Sequence, residues 1–116
     1  MEGLHVKVNV GMTQGNVALI GLEGRLDSVG TPMAEADFHA ATSAGPNAIV
    51  DLAGVTFVTS VGIGLLMDGA RTQSRLGGKL VLMAPDDITR RVLTTTGIDQ
   101  LVPICADLNE ALAAFG

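Results

Sequence analysis

Val50-Asp51-Leu52-Ala53-Gly54-Val55-Thr56-Phe57-Val58-Thr59-Ser60-Val61-Gly62-Ile63-Gly64-Leu65-Leu66 is the stretch on which the reading of this chain turns. Ala48 to Leu52 is an apolar run interrupted only by Asp51, the pattern of a buried strand. That strand is expected to end at Asp51, with a turn after it. Thr59-Ser60 then opens a helix expected from about Val61 to Leu76. Ile63, Leu66, Met67, Ala70 and Ser74 recur at helical spacing and are expected to form its buried stripe. Val61, Gly64, Leu65 and Asp68 fall on the opposite face, an apolar strip with one charge that reads as a docking patch or as tolerated surface. A helix N-terminus presents unpaired N–H groups and the positive end of the helix dipole. Ser60 therefore has two readings. It is a plain N-cap, or it accepts a phosphate that the amides of Val61, Gly62 and Ile63 stabilise. Thr59 is the alternative acceptor. Gly62 and Gly64 let either a partner or the sheet approach the helix closely.

Upstream of this stretch, His5 to Val10 alternates polar and apolar residues, the period of a half-buried strand. Gly15-Asn16 predicts a hairpin turn. Val17-Ala18-Leu19-Ile20-Gly21-Leu22 is continuously apolar, as in a strand covered on both faces. Thr31-Pro32 predicts a helix start, with Thr31 as N-cap and Pro32 at the first helical position. Glu35 would lie in the first turn, and Met33, Ala36 and Ala40, with Phe38 or Ala41, would form the buried stripe. Gly45-Pro46 ends this helix.

Downstream, Gly77-Gly78 stops the second helix, and Lys79–Met83 is a strand. Asp86-Asp87 has the look of a carboxylate pair, but adjacent acids at a helix start read as caps, here for a third helix through Thr96. Gly97 suits a left-handed cap, with Ile98 reaching back to Leu93. Leu101 to Ile104 is expected as a short edge strand, because Pro103 lacks a donor. Asp107-Leu108-Asn109-Glu110 is a capping box for a last helix. The expected fold is α/β. A single domain over residues 1–116 would have a small, mostly parallel sheet, an N-terminal hairpin and about four helices.

Composition narrows the function. The chain has 116 residues, 47% of them hydrophobic, and a net charge of −5. It is expected to fold around one core, and its acidity argues against binding nucleic acid or a membrane surface. The N-terminus lacks the basic and apolar regions of a signal peptide. The longest apolar stretch, Val55 to Met67, is too short to span a bilayer. Together with a single cysteine, Cys105, this points to the cytoplasm. His5 and His39 have no metal-ligand spacing with Cys105 or a carboxylate, so no metal or cofactor is expected. Arg90-Arg91 reads as a solvated face. Gly-x-Ser-x-Gly is absent around Ser60, where position 58 is Val, and no histidine follows it, which argues against an enzyme of the nucleophile-elbow type. No phosphate-loop pattern occurs.

Five pieces stand in order along the chain: Gly24-Arg25-Leu26-Asp27, Val50-Asp51-Leu52-x-Gly54-Val55-x-Phe57-Val58, Thr59-Ser60-Val61-Gly62-Ile63-Gly64, Gly77-Gly78-Lys79-Leu80-Val81-Leu82 and Val92-Leu93-x-x-x-Gly97-Ile98-Asp99-x-Leu101. Together they resemble the STAS family of anti-sigma-factor antagonists. The first is similar to the family's Gly-x-Leu-Asp turn and the second to its central strand. The third stands where the family carries Asp-Ser-Ser-Gly-Leu-Gly. The resemblance implies a domain with no chemistry of its own that binds an anti-sigma factor, itself a serine kinase. The kinase phosphorylates the first Ser of the motif, here Ser60, the complex dissociates, and a phosphatase resets it. Asp27 would contact the partner, or serve only as a turn or cap. The implied docking surface joins Asp27, Thr59 and Ser60 to Val61, Gly64, Leu65 and Asp68. The chain departs from the pattern at Thr59, where the family has Asp, and at Val61, where it has its second Ser. Other members of the family serve, without the switch, as subunits of lipid or anion transporters or of larger signalling assemblies.

Overall fold

Two long strands form the spine of the molecule, β2 (Ala18–Leu26) and β3 (Asn47–Val58). They run parallel, and β1 (Lys7–Met12) adds antiparallel to β2. β4 (Lys79–Met83) and β5 (Ile104–Cys105) extend the sheet on the other side in parallel. The computed structural model describes residues 6–13 and 15–115, and within them the sheet has five strands in the order β1-β2-β3-β4-β5. Gly15 and Asn16 both have positive φ, as a tight hairpin turn requires. His5, expected at the start of β1, lies outside the described residues; the strand itself ends at Met12 rather than Val10.

β3 does not end at Asp51 but continues to Val58. The cause is β2, which keeps pairing with it through register shifts at Gly21/Glu23 and Gly24/Arg25. Gly54 makes the crowding possible: a Cβ there would lie 2.6 Å from Glu23 Cγ. Ala53-Gly54, turn-like in sequence, is thus a strand irregularity where two backbones approach closely.

Between the strands lie α1 (Gly30–Ser43), α2 (Ser60–Arg75) and α3 (Asp87–Thr96), followed by a 3-10 turn at Ile98–Gln100 and, after β5, by α4 (Leu108–Ala113). α1 starts before Thr31, so Thr31 is buried inside its first turn rather than capping it, and Glu35 falls beyond that turn. Its buried face is Ala34, Phe38, Ala41 and Thr42, while Met33, Ala36 and Ala40 are exposed. Alanines make several stripes equivalent on α1. Phe38 selects one, because its ring fits against Gly69 of α2, where a Cβ would come within 2.7 Å of it.

α2 is rotated from the expected orientation as well. Gly62, Leu65, Leu66, Gly69, Thr72 and Gln73 are buried. Ile63, Met67 and Ala70 flank that face half-buried, and Ser74 is exposed. The glycines are the reason: the helix leans on the sheet and on α1 where it has no side chain. Leu65, expected on the outward face, is only 7% exposed and belongs to the core.

The sheet separates two apolar layers. Ile20, Leu22, Val50, Leu52, Leu80 and Leu82 face α1, α2 and α3, meeting Phe38, Leu66 and Leu93. Ile49, Val81, Met83 and Cys105 face the other way, against Ala111 and Leu112 of α4. Alternate residues of β3 and β4 thus feed opposite layers. β2 is covered on both faces only in part, since Glu23 is exposed. Asp86 Oδ1 accepts from Thr89 N at 2.7 Å and Gly97 is left-handed at φ 82°, as expected. Of the expected capping box, Asp107 Oδ1 accepts from Glu110 N at 2.9 Å, but the return bond falls one residue early, Glu110 Oε2 accepting from Ala106 N at 3.1 Å. β5 lies at the sheet edge but comprises Ile104–Cys105; Pro103 precedes it and its carbonyl accepts from Leu82 N at 2.9 Å.

Candidate functional site

Leu26 pairs with Val58, so β2 and β3 end side by side and their following turns touch. Thr59 N donates to the Leu26 carbonyl at 3.0 Å, and Thr59 Oγ1 leans on the same oxygen at 3.4 Å. Thr59 is extended (φ −114°, ψ −178°), and its own carbonyl accepts from Ile63 N at 3.0 Å. Thr59, not Ser60, is therefore the N-cap of α2, and it caps through the backbone alone. Ser60 is the first helical residue. It is exposed, and its hydroxyl makes no hydrogen bond among the described residues. Ile63 N is occupied, so the open amides at this helix start are those of Ser60, Val61 and Gly62.

Gly62 sits directly on the end of β2. A Cβ there would stand 2.6 Å from Leu26 O and 2.8 Å from Val58 Cγ2, so its role is packing. Gly64, two residues on, has nothing within 4 Å of the corresponding position. Ser60, Val61, Gly64 and Asp68 make one exposed strip along α2. Leu65 lies beneath it, on the floor of a groove of about 480 Å³ between α1 and α2 that also involves Pro32, Glu35, Phe38, His39 and Asp68. Asp68 pairs with Arg71 at 2.8 Å on the surface.

Asp27 is turned toward α1. Its Oδ1 accepts from Gly30 N at 2.8 Å and Val29 N at 3.1 Å, and its Oδ2 from Arg25 Nε at 3.2 Å. The Gly30 amide, above all, holds this carboxyl below the usual aspartate value; burial, the next influence, opposes it, and the Arg25 side chain and the Val29 amide add to the lowering. Asp27 thus caps α1, the turn-and-cap reading of the sequence. Arg25 also lies over the Phe57 ring, 4.6 Å from its centroid, a cation–π contact on an exposed part of the sheet. Sequence spacing carried no sign of this pair, nor of the α1 wall of the groove, because both depend on strand register and helix packing.

The remaining polar candidates are structural. Asp86 is the cap of α3, and its carboxyl is held low mainly by the Thr89 amide. Burial pushes the Cys105 thiol up, away from reactivity. Among the described residues no group of three His, Cys, Asp or Glu side chains is placed to hold a metal, and no helix is long and apolar enough to cross a membrane.

Solved structures of the same shape include an anti-sigma factor antagonist from Mycobacterium paratuberculosis, 28% identical, with a TM-score of 0.84 over 95% of this chain and 93% of that one. The Bacillus cell fate determinant SpoIIAA in its phosphorylated form matches at 23% identity and TM-score 0.68, over 93% and 98% of the two chains. The murine anion transporter Slc26a9 matches at 12% identity and TM-score 0.71, over 95% of this chain but 22% of the transporter. These last two show the fold alone. No curated protein sequence matches the chain. The STAS domain family model matches residues 12–111, from the end of β1 through β2 to β5, including the Leu26–Thr59 junction, and into α4. The chain belongs to the STAS domain family.

Proposed function

We propose that this protein is an anti-sigma-factor antagonist that binds an anti-sigma factor with serine-kinase activity and is switched off by phosphorylation at Ser60. The observation that carries the reading is the state of Ser60: an exposed, unengaged hydroxyl on the first turn of α2, beside open amides. Thr59 is the poorer acceptor, since its hydroxyl is half-buried and directed at Leu26 O. A phosphoryl group adds about −1.5 to −2 charges at pH 7. Within the domain, the amides at the start of α2 stabilise that charge. Across an apolar or acidic partner surface, or beside the nucleotide phosphates of the kinase, the same charge is repelled and desolvated. A phosphatase then restores the binding form.

The docking surface comprises Thr59, Ser60, Val61, Gly64 and Asp68. Asp27 contributes by fixing the turn beside them, and Leu65 by supporting α2 from below. The domain acts by binding in the cytoplasm and contributes no chemistry of its own. The test compares wild type, Ser60→Ala and Ser60→Asp against the purified serine-kinase anti-sigma factor from the same genome. Wild type and Ser60→Ala are expected to bind, and Ser60→Asp to lose affinity on the order of a hundredfold, about 2.7 kcal/mol. Equal binding by Ser60→Asp refutes the switch. The likeness of shape to Slc26a9 favours a second reading, a constitutive STAS subunit of a transport complex, in which permease or ATPase subunits would be retained by wild type and Ser60→Asp alike.

A further inference from the structure

The groove between α1 and α2 continues past Leu65 to the start of α2, where Thr31, Val61 and Gly64 line its open end. Its floor is apolar, formed by Leu65 and Phe38. Two carboxylates border it from opposite walls, Glu35 on α1 and Asp68 on α2, and no Lys or Arg lines it. The Asp68–Arg71 pair is exposed on both sides, so it is readily exchanged for another cation. A second copy of this chain would set the same carboxylates against each other in a two-fold contact, on a molecule already carrying a net charge of −5.

We propose that this groove receives a basic segment of the partner kinase, an arginine or lysine that reaches between Glu35 and Asp68 while an adjoining apolar side chain rests on Leu65. The inference rests on the partner-switch reading of Ser60 and adds the chemistry of the partner. Charge complementarity selects the cation, and the apolar floor suits the aliphatic stem that carries it. Gly64 keeps the open end of the groove clear, since nothing lies within 4 Å of its missing Cβ. Asp68 stands eight residues beyond Ser60, about 12 Å along the helix axis. That exceeds the Debye length of about 8 Å at physiological salt, so a phosphoryl group on Ser60 would not strengthen the basic contact appreciably. The groove fixes register, while Ser60 carries the switch.

The experiment uses the purified serine-kinase anti-sigma factor of the same genome, with ATP, and four full-length proteins: wild type, Glu35→Lys/Asp68→Lys, Gly64→Leu and Ser60→Asp. Binding and phosphorylation kinetics are measured at low and high salt, with thermal unfolding checked for each protein. The charge reversal is expected to weaken binding at least tenfold and to raise KM for phosphorylation of Ser60 with kcat kept. Wild-type affinity should fall with salt more steeply than that of the reversed protein. Gly64→Leu is expected to bind weakly while melting no lower than wild type. Unchanged affinity and KM in the charge-reversed protein overturn the groove proposal even if Ser60→Asp fails to bind. A wild type that binds no kinase overturns the partner-switch reading, and this inference with it.

Discussion

Two glycines two positions apart on α2 do opposite things. Gly62 is pressed on the Leu26 carbonyl, whereas Gly64 faces open space. Gly62→Ala is expected to lower stability by about 1–3 kcal/mol, the usual cost of forcing atoms into a filled site. Gly64→Ala should raise it by roughly 0.5–1 kcal/mol, because alanine loses less backbone freedom in a helix. Urea unfolding of both variants checks the pair, and similar values would mean that α2 does not sit as described. Leu65 belongs to the same comparison. Helical spacing places it on the outward face, where a substitution would spare the fold. Its burial reverses that expectation: Leu65→Ala should cost about 2–5 kcal/mol, and Leu65→Arg more. The pattern Gly62-Ile63-Gly64-Leu65-Leu66 does not distinguish the two glycines or expose the leucine's side. Hydropathy assigns the core to the large apolar residues, while this helix makes its closest approach through residues with no side chain.

Capping was legible in the sequence wherever donor and acceptor lie on one turn. Asp86, Asp107 and Gly97 serve their helices as read, since an N-cap or a left-handed terminus is a local event. The start of α1 was misread because the capping carboxylate is Asp27, reaching across the turn to Val29 and Gly30, while Thr31-Pro32 imitates a start inside the helix. The site divides the same way. Ser60 at a helix start was legible, but the junction of Leu26 with Thr59 and the Arg25–Phe57 contact depend on how β2 and β3 align. Asp27 and Asp86 give the caps a pH dependence. Both carboxyls titrate below their ordinary value of 3.8, principally because backbone amides favour the charged form. Their contribution is complete above the unfolded value and is lost as pH falls through the lower folded one. Amide protection in the first turns of α1 and α3, the exchange rate taken relative to that of an unstructured chain at the same pH, is therefore expected to fall in acid below about pH 4, before the central strands open. Asp27→Asn should remove that dependence from α1 alone. An acid response of α1 that persists in Asp27→Asn would assign it elsewhere.

Taken whole, the molecule has a heavily covered face and a lightly covered one. Strands laid down in sequential order with right-handed crossovers place α1, α2 and α3 on the same side of the sheet. The opposite layer of Ile49, Val81 and Met83 is sheltered by α4, a helix of six residues. A chain ending at Cys105 is expected to bind hydrophobic dyes and to self-associate during size-exclusion chromatography. A cooperative monomer from that shortened chain would contradict the importance of α4. The strand order has a further consequence for the nascent chain. As it leaves the ribosome, every new strand finds its neighbour already made, so the sheet can grow from one side without waiting for distant segments. The helix over the second layer follows every strand that it shelters. Until α4 has emerged, the growing chain carries a bare apolar surface, and its vulnerable interval is the one between the exit of β5 and the exit of that helix.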